Sequence, residues 1–142
     1  MTRPHRYPPY RRLPRFAPVP LRTRADGWTP ARQARFIGWL AQTGCVREAA
    51  RRAGCSRESA YRLRRRAGAE SFAHAWDAAL ALRRGGQVVA RKVTPADWLE
   101  AATVGLVSVR MRRGRFCGAW RKPCNSALLR LLAAFSRARG LL

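Results

Sequence analysis

The residues best suited to chemistry in this chain are Ser56, Arg57, Glu58, Tyr61 and Arg62, followed by Arg64, Arg65 and Arg66. At helical spacing, Arg57, Glu58, Tyr61, Arg62 and Arg65 share one face, and that face is rich in hydrogen-bond donors. Guanidinium groups match guanine edges and phosphate oxygens, and the hydroxyls of Ser56 and Tyr61 suit either. Glu58 can accept from a cytosine amino group. It also suits the positive end of a helix dipole, and this second reading is favoured. Arg64, Arg65 and Arg66 wrap around the end of the same helix, where phosphate contact is expected.

A reading face needs a support that holds its helix at a fixed angle. The preceding segment, Val46 to Ala53, has the features of a helix-turn-helix. Ala50 is the small residue required where two helices cross closely. Gly54, four residues on, supplies the positive φ of the tight turn. Ala49, Ala53, Ala60 and Leu63 fall where the interhelical angle must be filled. Ser56 is a good N-cap for the third helix, and Cys45-Val-Arg-Glu48 reads as a weakened capping box for the second. The first helix starts at Thr29-Pro30, cap and N1, and carries Phe36, Ile37, Leu40 and Ala41 on one side up to Gly44.

Residues 1–27 differ in kind. Six prolines fall in the first twenty residues, interleaved with Arg3, Arg6, Arg11, Arg12, Arg15, Arg22 and Arg24, and no carboxylate precedes Asp26. Proline removes backbone donors and disfavours helix before it, so the segment is expected to be an extended or disordered flexible arm. Arg3, Arg6, Arg11 and Arg12 would lie along phosphates, as basic arms do.

Residues 28–84 form the expected helix-turn-helix unit with a fourth helix from Glu70, striped by Phe72, Trp76, Ala79 and Leu80. Gly85-Gly86 ends it. Residues 85–142 are expected to hold a helix capped by Thr94-Pro95-Ala-Asp97, a β-hairpin and a C-terminal helix. In the hairpin the period becomes two. With Arg113-Gly114 as the turn, Met111 faces Phe116, Val109 faces Gly118 and Val107 faces Trp120. Arg110, Arg112 and Arg115 fall on the other face, either as a phosphate-touching wing or as a solvated surface. Asn125 is expected to cap the last helix, whose Leu128, Leu131, Leu132 and Phe135 form one stripe with Leu129 beside it. That stripe packs on the hairpin or on another subunit.

Composition narrows the function classes. Thirty basic and seven acidic residues give +23, and all the basic residues but Lys92 and Lys122 are Arg. Such a charge calls for a polyanionic partner. No apolar run approaches the ~18–20 residues of a membrane span, and no apolar leader opens the chain. Cys45, Cys55, Cys117 and Cys124 form no C-x-x-C pair and read as reduced thiols, so no metal is expected. The few carboxylates converge on no catalytic site. No cofactor, small-molecule substrate or enzyme activity is inferred, and a cytoplasmic, nucleoid-associated location follows.

The motifs Trp28-Thr-Pro-Ala-Arg-Gln33, the helix-turn-helix over 46–66, Ala67-Gly-Ala-Glu-Ser-Phe72 through Leu80, the hairpin and the Leu-rich helix resemble a family of bacterial helix-turn-helix proteins of mostly unassigned role. More distantly, the first part resembles the DNA-binding domain of phage terminase small subunits. The first resemblance implies a double-stranded DNA partner and a role as a transcriptional regulator or phage-derived recognition factor. The second implies homo-oligomeric rings and viral DNA packaging. The fold expected is mainly α, with a helix-turn-helix core, a C-terminal hairpin plus helix, and a basic arm.

Overall fold

In a computed structural model, the structure describes residues 12–21, 27–87, 92 and 94–140. Arg3, Arg6, Arg11, Arg22 and Arg24 lie outside the described residues. The elements are α1 (Pro30–Thr43), α2 (Val46–Ala53), α3 (Arg57–Arg64), α4 (Glu70–Arg83), α5 (Pro95–Thr103), β1 (Leu106–Arg112), β2 (Arg115–Lys122) and α6 (Asn125–Ala138). The fold is mainly α with one antiparallel hairpin. Among the described residues no helix is long and apolar enough to cross a membrane.

Local signals set most boundaries. Thr29 accepts from the Arg32 amide to cap α1, with Pro30 behind it, and Gly44 closes the helix in the left-handed conformation. Thr94 and Asp97 form a reciprocal capping box on α5. Two expected caps differ. Cys45 occupies the N-cap of α2 without a side-chain bond, and Glu48 turns to Arg51 and Arg52 instead of back to the Cys45 amide, which donates to Thr43 Oγ1. Cys124, not Asn125, holds the N-cap position of α6. Its amide donates to the Ala101 carbonyl at 2.7 Å, which fixes the start of α6 against α5. The third helix ends at Arg64, so Arg65 and Arg66 follow it in the turn.

The core is one aromatic-rich cluster. Phe36, Ile37 and Leu40 of α1 meet Ala49, Ala50 and Ala53 of α2, Ala60 and Leu63 of α3, and Phe72, Ala75, Trp76 and Ala79 of α4. Phe36 lies 4.8 Å from Trp76 between ring centroids, and Trp28 stands edge-on to Phe36 at 5.5 Å.

The expectation of a free arm over 1–27 does not hold for residues 13–21. They are extended, as the prolines require, but they form a strap packed into the core. Phe16 is 1% exposed and Val19 3%. Phe16 stands edge-on to Phe72 at 5.9 Å and exchanges both backbone hydrogen bonds with Val107 at 3.1 and 2.8 Å. The fully buried Gln33 side chain clamps the strap. Its Oε1 accepts from the Val19 amide at 2.7 Å, and its Nε2 donates to the carbonyls of Val19 and Trp28. An apolar pair at Phe16 and Val19 among arginines carries too little periodicity to show this from sequence.

The hairpin tip is where the sequence places it. Arg113 and Gly114 take φ of 51° and 77°, the mirror-image turn that suits strand twist. Met111 pairs with Phe116, but the register slips between Arg110 and Met111, leaving Cys117 as an extra residue on β2. Val109 therefore faces Ala119, and Val107 faces Arg121, not Trp120. A one-residue bulge reverses every later side chain, so Trp120 is half exposed. The hairpin also belongs to the first core rather than to a separate unit. Phe116 lies against Gly38 of α1, where no side chain would fit, and its amide donates to Gln42 Oε1 at 2.9 Å.

Phe16→Ala is expected to destabilise the protein by about 3–5 kcal/mol, as large-to-small changes at such sites do, measured by urea unfolding. A change under about 0.5 kcal/mol would mean that the strap is not part of the folded core. Gly54→Val, at φ 81°, is expected to cost on the order of 1–3 kcal/mol in backbone strain, read as a lowered Tm.

Candidate nucleic-acid interface

Two helices and their turn build the site. Gly54, left-handed, donates its amide back to α2, and Ala49, Ala50, Ala53, Ala60 and Leu63 fill the angle between α2 and α3. Small side chains let the helices approach; a larger residue at Ala50, 0% exposed, would push α3 away. The support expected from the alanine spacing is present residue for residue.

The start of α3 is pinned. Ser56 Oγ accepts from the Ser59 amide at 3.2 Å, so this hydroxyl acts as the cap. Ser59 Oγ donates to the Ser56 carbonyl at 2.8 Å and accepts from the Trp28 indole N–H at 3.3 Å. Trp28 also sits on Phe36, so the N-terminal turn of α3 is tied to the core through one indole ring.

The end of α3 is braced from α4. Arg64, expected among the phosphate contacts, donates from both terminal nitrogens to the Asp77 carboxylate at 2.8 and 3.1 Å. Its guanidinium also stacks 5.1 Å above Trp76. Tyr61 rests on the same Trp76, 5.2 Å between centroids. Sequence reasoning misses Asp77; its place beside Trp76, on the stripe of α4, is the signal that could have found it.

Between these anchors Arg57, Glu58, Arg62, Arg65 and Arg66 are exposed, and Tyr61 shows its outer edge to solvent. Arg57, Glu58, Tyr61 and Arg62 form one outward row along α3, and Arg65 and Arg66 follow in the turn after it. Arg62 and Arg66 also line a shallow cleft with Leu21, Trp28, Ser59 and Leu63. The strap therefore delivers the chain to the edge of α3.

The second helix carries arginine of a different sort. Arg51 and Arg52 both donate to Glu48, at 2.6 and 2.8 Å, and Arg52 also stacks 4.5 Å over Trp39. Trp39 in turn meets Phe116 edge-on at 5.5 Å, so the hairpin packs on the same α1 ring that Arg52 covers. Arg110, Arg112 and Arg115 are exposed on that hairpin, and Arg12 is exposed where the strap begins. Arg121 bridges to Glu100 and to the Gly105 carbonyl.

The hydrogen bonds from Arg51, and then Arg52, hold the Glu48 carboxyl down to about 2. A depressed carboxylate stabilises the fold above its unfolded pKa, and the effect is lost as pH falls through the folded value. The Tm difference between the wild type and Glu48→Gln is therefore expected to be constant above about pH 5 and to vanish as pH approaches 2. Thermal melts across that range check it, and a difference unchanged down to pH 2 would exclude the ion pairs.

No protein-family model, curated protein or solved structure matches this chain.

Proposed function

We propose that this protein binds double-stranded DNA by laying α3 in the major groove, and that it acts as a sequence-dependent regulator or recognition factor. The observation that carries this reading is the outward row Arg57, Glu58, Tyr61 and Arg62 on a helix pinned at both ends. Trp28 holds its start and Asp77 its end. Pre-organisation of this kind suits base readout, because a helix that need not reorder on binding sacrifices less affinity.

The roles divide by geometry. Arg57 and Arg62 are the readers, and Tyr61, held on Trp76, presents its hydroxyl in one direction. Arg65 and Arg66 take phosphate at the exit of the helix. Arg64 holds α3 in place through Asp77. Arg3, Arg6, Arg11 and Arg12 supply charge along the backbone, and Arg110, Arg112 and Arg115 add a second basic surface on the hairpin. The net charge of +23 accounts for affinity that is independent of sequence. Such a protein resides with the nucleoid. A packaging factor would use the same helix but assemble as a ring, so the mass of the free protein separates the two roles.

Arg62→Ala is expected to leave Tm unchanged and to weaken the preferred duplex by about 1–3 kcal/mol while relaxing choice at one base pair. Deleting residues 1–11, which leaves the strap intact, is expected to weaken all duplexes alike. It should flatten the plot of log affinity against log salt by up to about 0.9 for each phosphate the arm neutralises. Fluorescence anisotropy on selected and random duplexes at two salt concentrations tests both. If Arg57→Ala and Arg62→Ala each weaken selected and random DNA equally, α3 does not read sequence.

A further inference from the structure

The hairpin tip gathers charge that the fold does not use. Arg110, Arg112, Arg113 and Arg115 fall within six residues, all of them exposed, and no acidic side chain follows Glu100 in the sequence. Among the described residues no carboxylate pairs with any of the four. Two features of the tip work against its stability. Arg112 and Arg115 are register partners, and like charges directly opposite repel. Arg113 holds φ at 51°, and among the described residues it alone does so without being glycine. Mirror-image turns favour Asn, Asp or Gly at that place. A partner of dense negative charge relieves the repulsion.

The tip and α3 stand on opposite sides of α1. Phe116, next to the tip, packs on Gly38, and its amide reaches Gln42. Gly38 and Gln42 lie two residues to either side of Leu40, so helical spacing turns them away from the core face that Leu40 occupies. On the core side Phe36 meets Trp76, and Trp76 carries Tyr61 of α3. The thickness of α1, ~10–12 Å with its side chains, and of that ring stack separates the two surfaces by on the order of 20 Å. Their arginines also point apart. Ala60 and Leu63 face inward from α3, so its outward row faces away from the core. Phe116 takes the inner side of the tip, so strand alternation and register put Arg115, Arg112 and Arg110 on the outer side. A duplex seated on α3 therefore lies across the molecule from the tip.

We infer that the hairpin tip holds a second DNA duplex, so that one molecule bridges two. This rests on the reading of α3 as the contact with the first. Shape and charge give the class of occupant. The major groove admits a two-stranded ribbon. Arg110 and Arg112 are one strand repeat apart, ~6–7 Å, and a duplex offers closely spaced phosphates on both strands. An anionic lipid surface suits the tip less well. Its one aromatic ring, Phe116, is turned against α1, and binding at a lipid interface needs an apolar face to bury. Phosphate contacts carry no sequence information, so the second duplex needs no particular sequence.

The test uses full-length protein freed of nucleic acid. It is loaded on a selected duplex fixed to beads, unbound protein is washed away, and a labelled random duplex is offered at about 0.15 M salt. Wild type is expected to capture the labelled duplex. The triple variant Arg110→Gln, Arg112→Gln, Arg115→Gln is expected to hold the bead duplex within about threefold of wild type, because the tip lies beyond the ~8 Å Debye length from it. Its capture of the second duplex is expected to fall by roughly tenfold or more, as loss of three phosphate contacts implies. Removing the same charge from α6, with Arg130→Gln, Arg137→Gln and Arg139→Gln, is expected to leave capture unchanged. Should the tip variant not fold by circular dichroism, Arg112→Gln alone is expected to lower capture by about threefold. Wild type that does not bind the bead duplex refutes the α3 reading together with this one. Wild type that binds it and captures nothing refutes bridging alone. Capture by the tip variant as strong as wild type, or an equal loss in both triple variants, also overturns the proposal. So does a tip variant that releases the bead duplex, which would make the hairpin a wing on the first duplex. Phosphatidylserine vesicles that retain wild type but not the tip variant, with no second duplex captured, would mark the tip as a membrane contact and overturn it as well.

Discussion

A buried amide side chain holds the parts of this molecule together. Gln33 sits on the apolar stripe of α1, 0% exposed, and each polar end finds a backbone partner. A polar group in such a place must be satisfied or it destabilises the fold by more than its hydrogen bonds add. Val19 and Trp28 are therefore fixed relative to α1. Through Val19 the strap is fixed, and with it Phe16 and the edge of β1. Through Trp28 the cap of α3 is fixed, because the indole N–H reaches Ser59. The orientation of the outward row on α3 thus depends, through Trp28, on a buried amide of α1.

Carboxylates are scarce here, and the structure places them where they organise arginine. Glu48 gathers Arg51 and Arg52, Asp77 straightens Arg64, and Glu100 holds Arg121. Asp97 caps α5. Each pair is exposed enough that its Coulomb contribution to stability is small. Their effect is one of sorting: Arg51, Arg52, Arg64 and Arg121 are held on carboxylates of the protein, whereas Arg57, Arg62, Arg65 and Arg66 are exposed on α3 and the turn after it. A uniformly basic sequence thereby becomes a surface with directed donors.

Helix ends and the helix-turn-helix were legible because their signals are local. Thr29-Pro30, Ser56, Thr94 with Asp97, and the glycines at 44 and 54 each act within four residues, and all are found in those roles. The alanines at 49, 50, 53 and 60 were legible because only a close helix crossing needs so many small residues together. The rest depends on partners distant in sequence. Nothing near Phe16 announces Val107, and nothing near Arg64 announces Asp77. The Cys117 bulge escaped because alternation in β2 reads equally well with or without one extra residue. Arg121 of β2 has its carboxylate partner, Glu100, outside the hairpin. Of the proposed readers, Arg57, Tyr61 and Arg62 could be named from helical spacing alone. Their rigidity could not, since it comes from Trp28 and Asp77.

The bridge between Phe16 and Val107 joins the beginning of the chain to its last third. On the ribosome, the helices from α1 to α4 can assemble as soon as they emerge, since their contacts are near in sequence. The strap cannot finish docking then. Its edge partner has not been made, so an arginine-rich segment stays loose until the hairpin arrives. Completion of the hairpin is thus the step that closes the molecule, and a nascent chain halted before Val107 would carry a formed α3 above an open core. Emergence of Val107, rather than formation of α3, sets the moment at which the strap can dock.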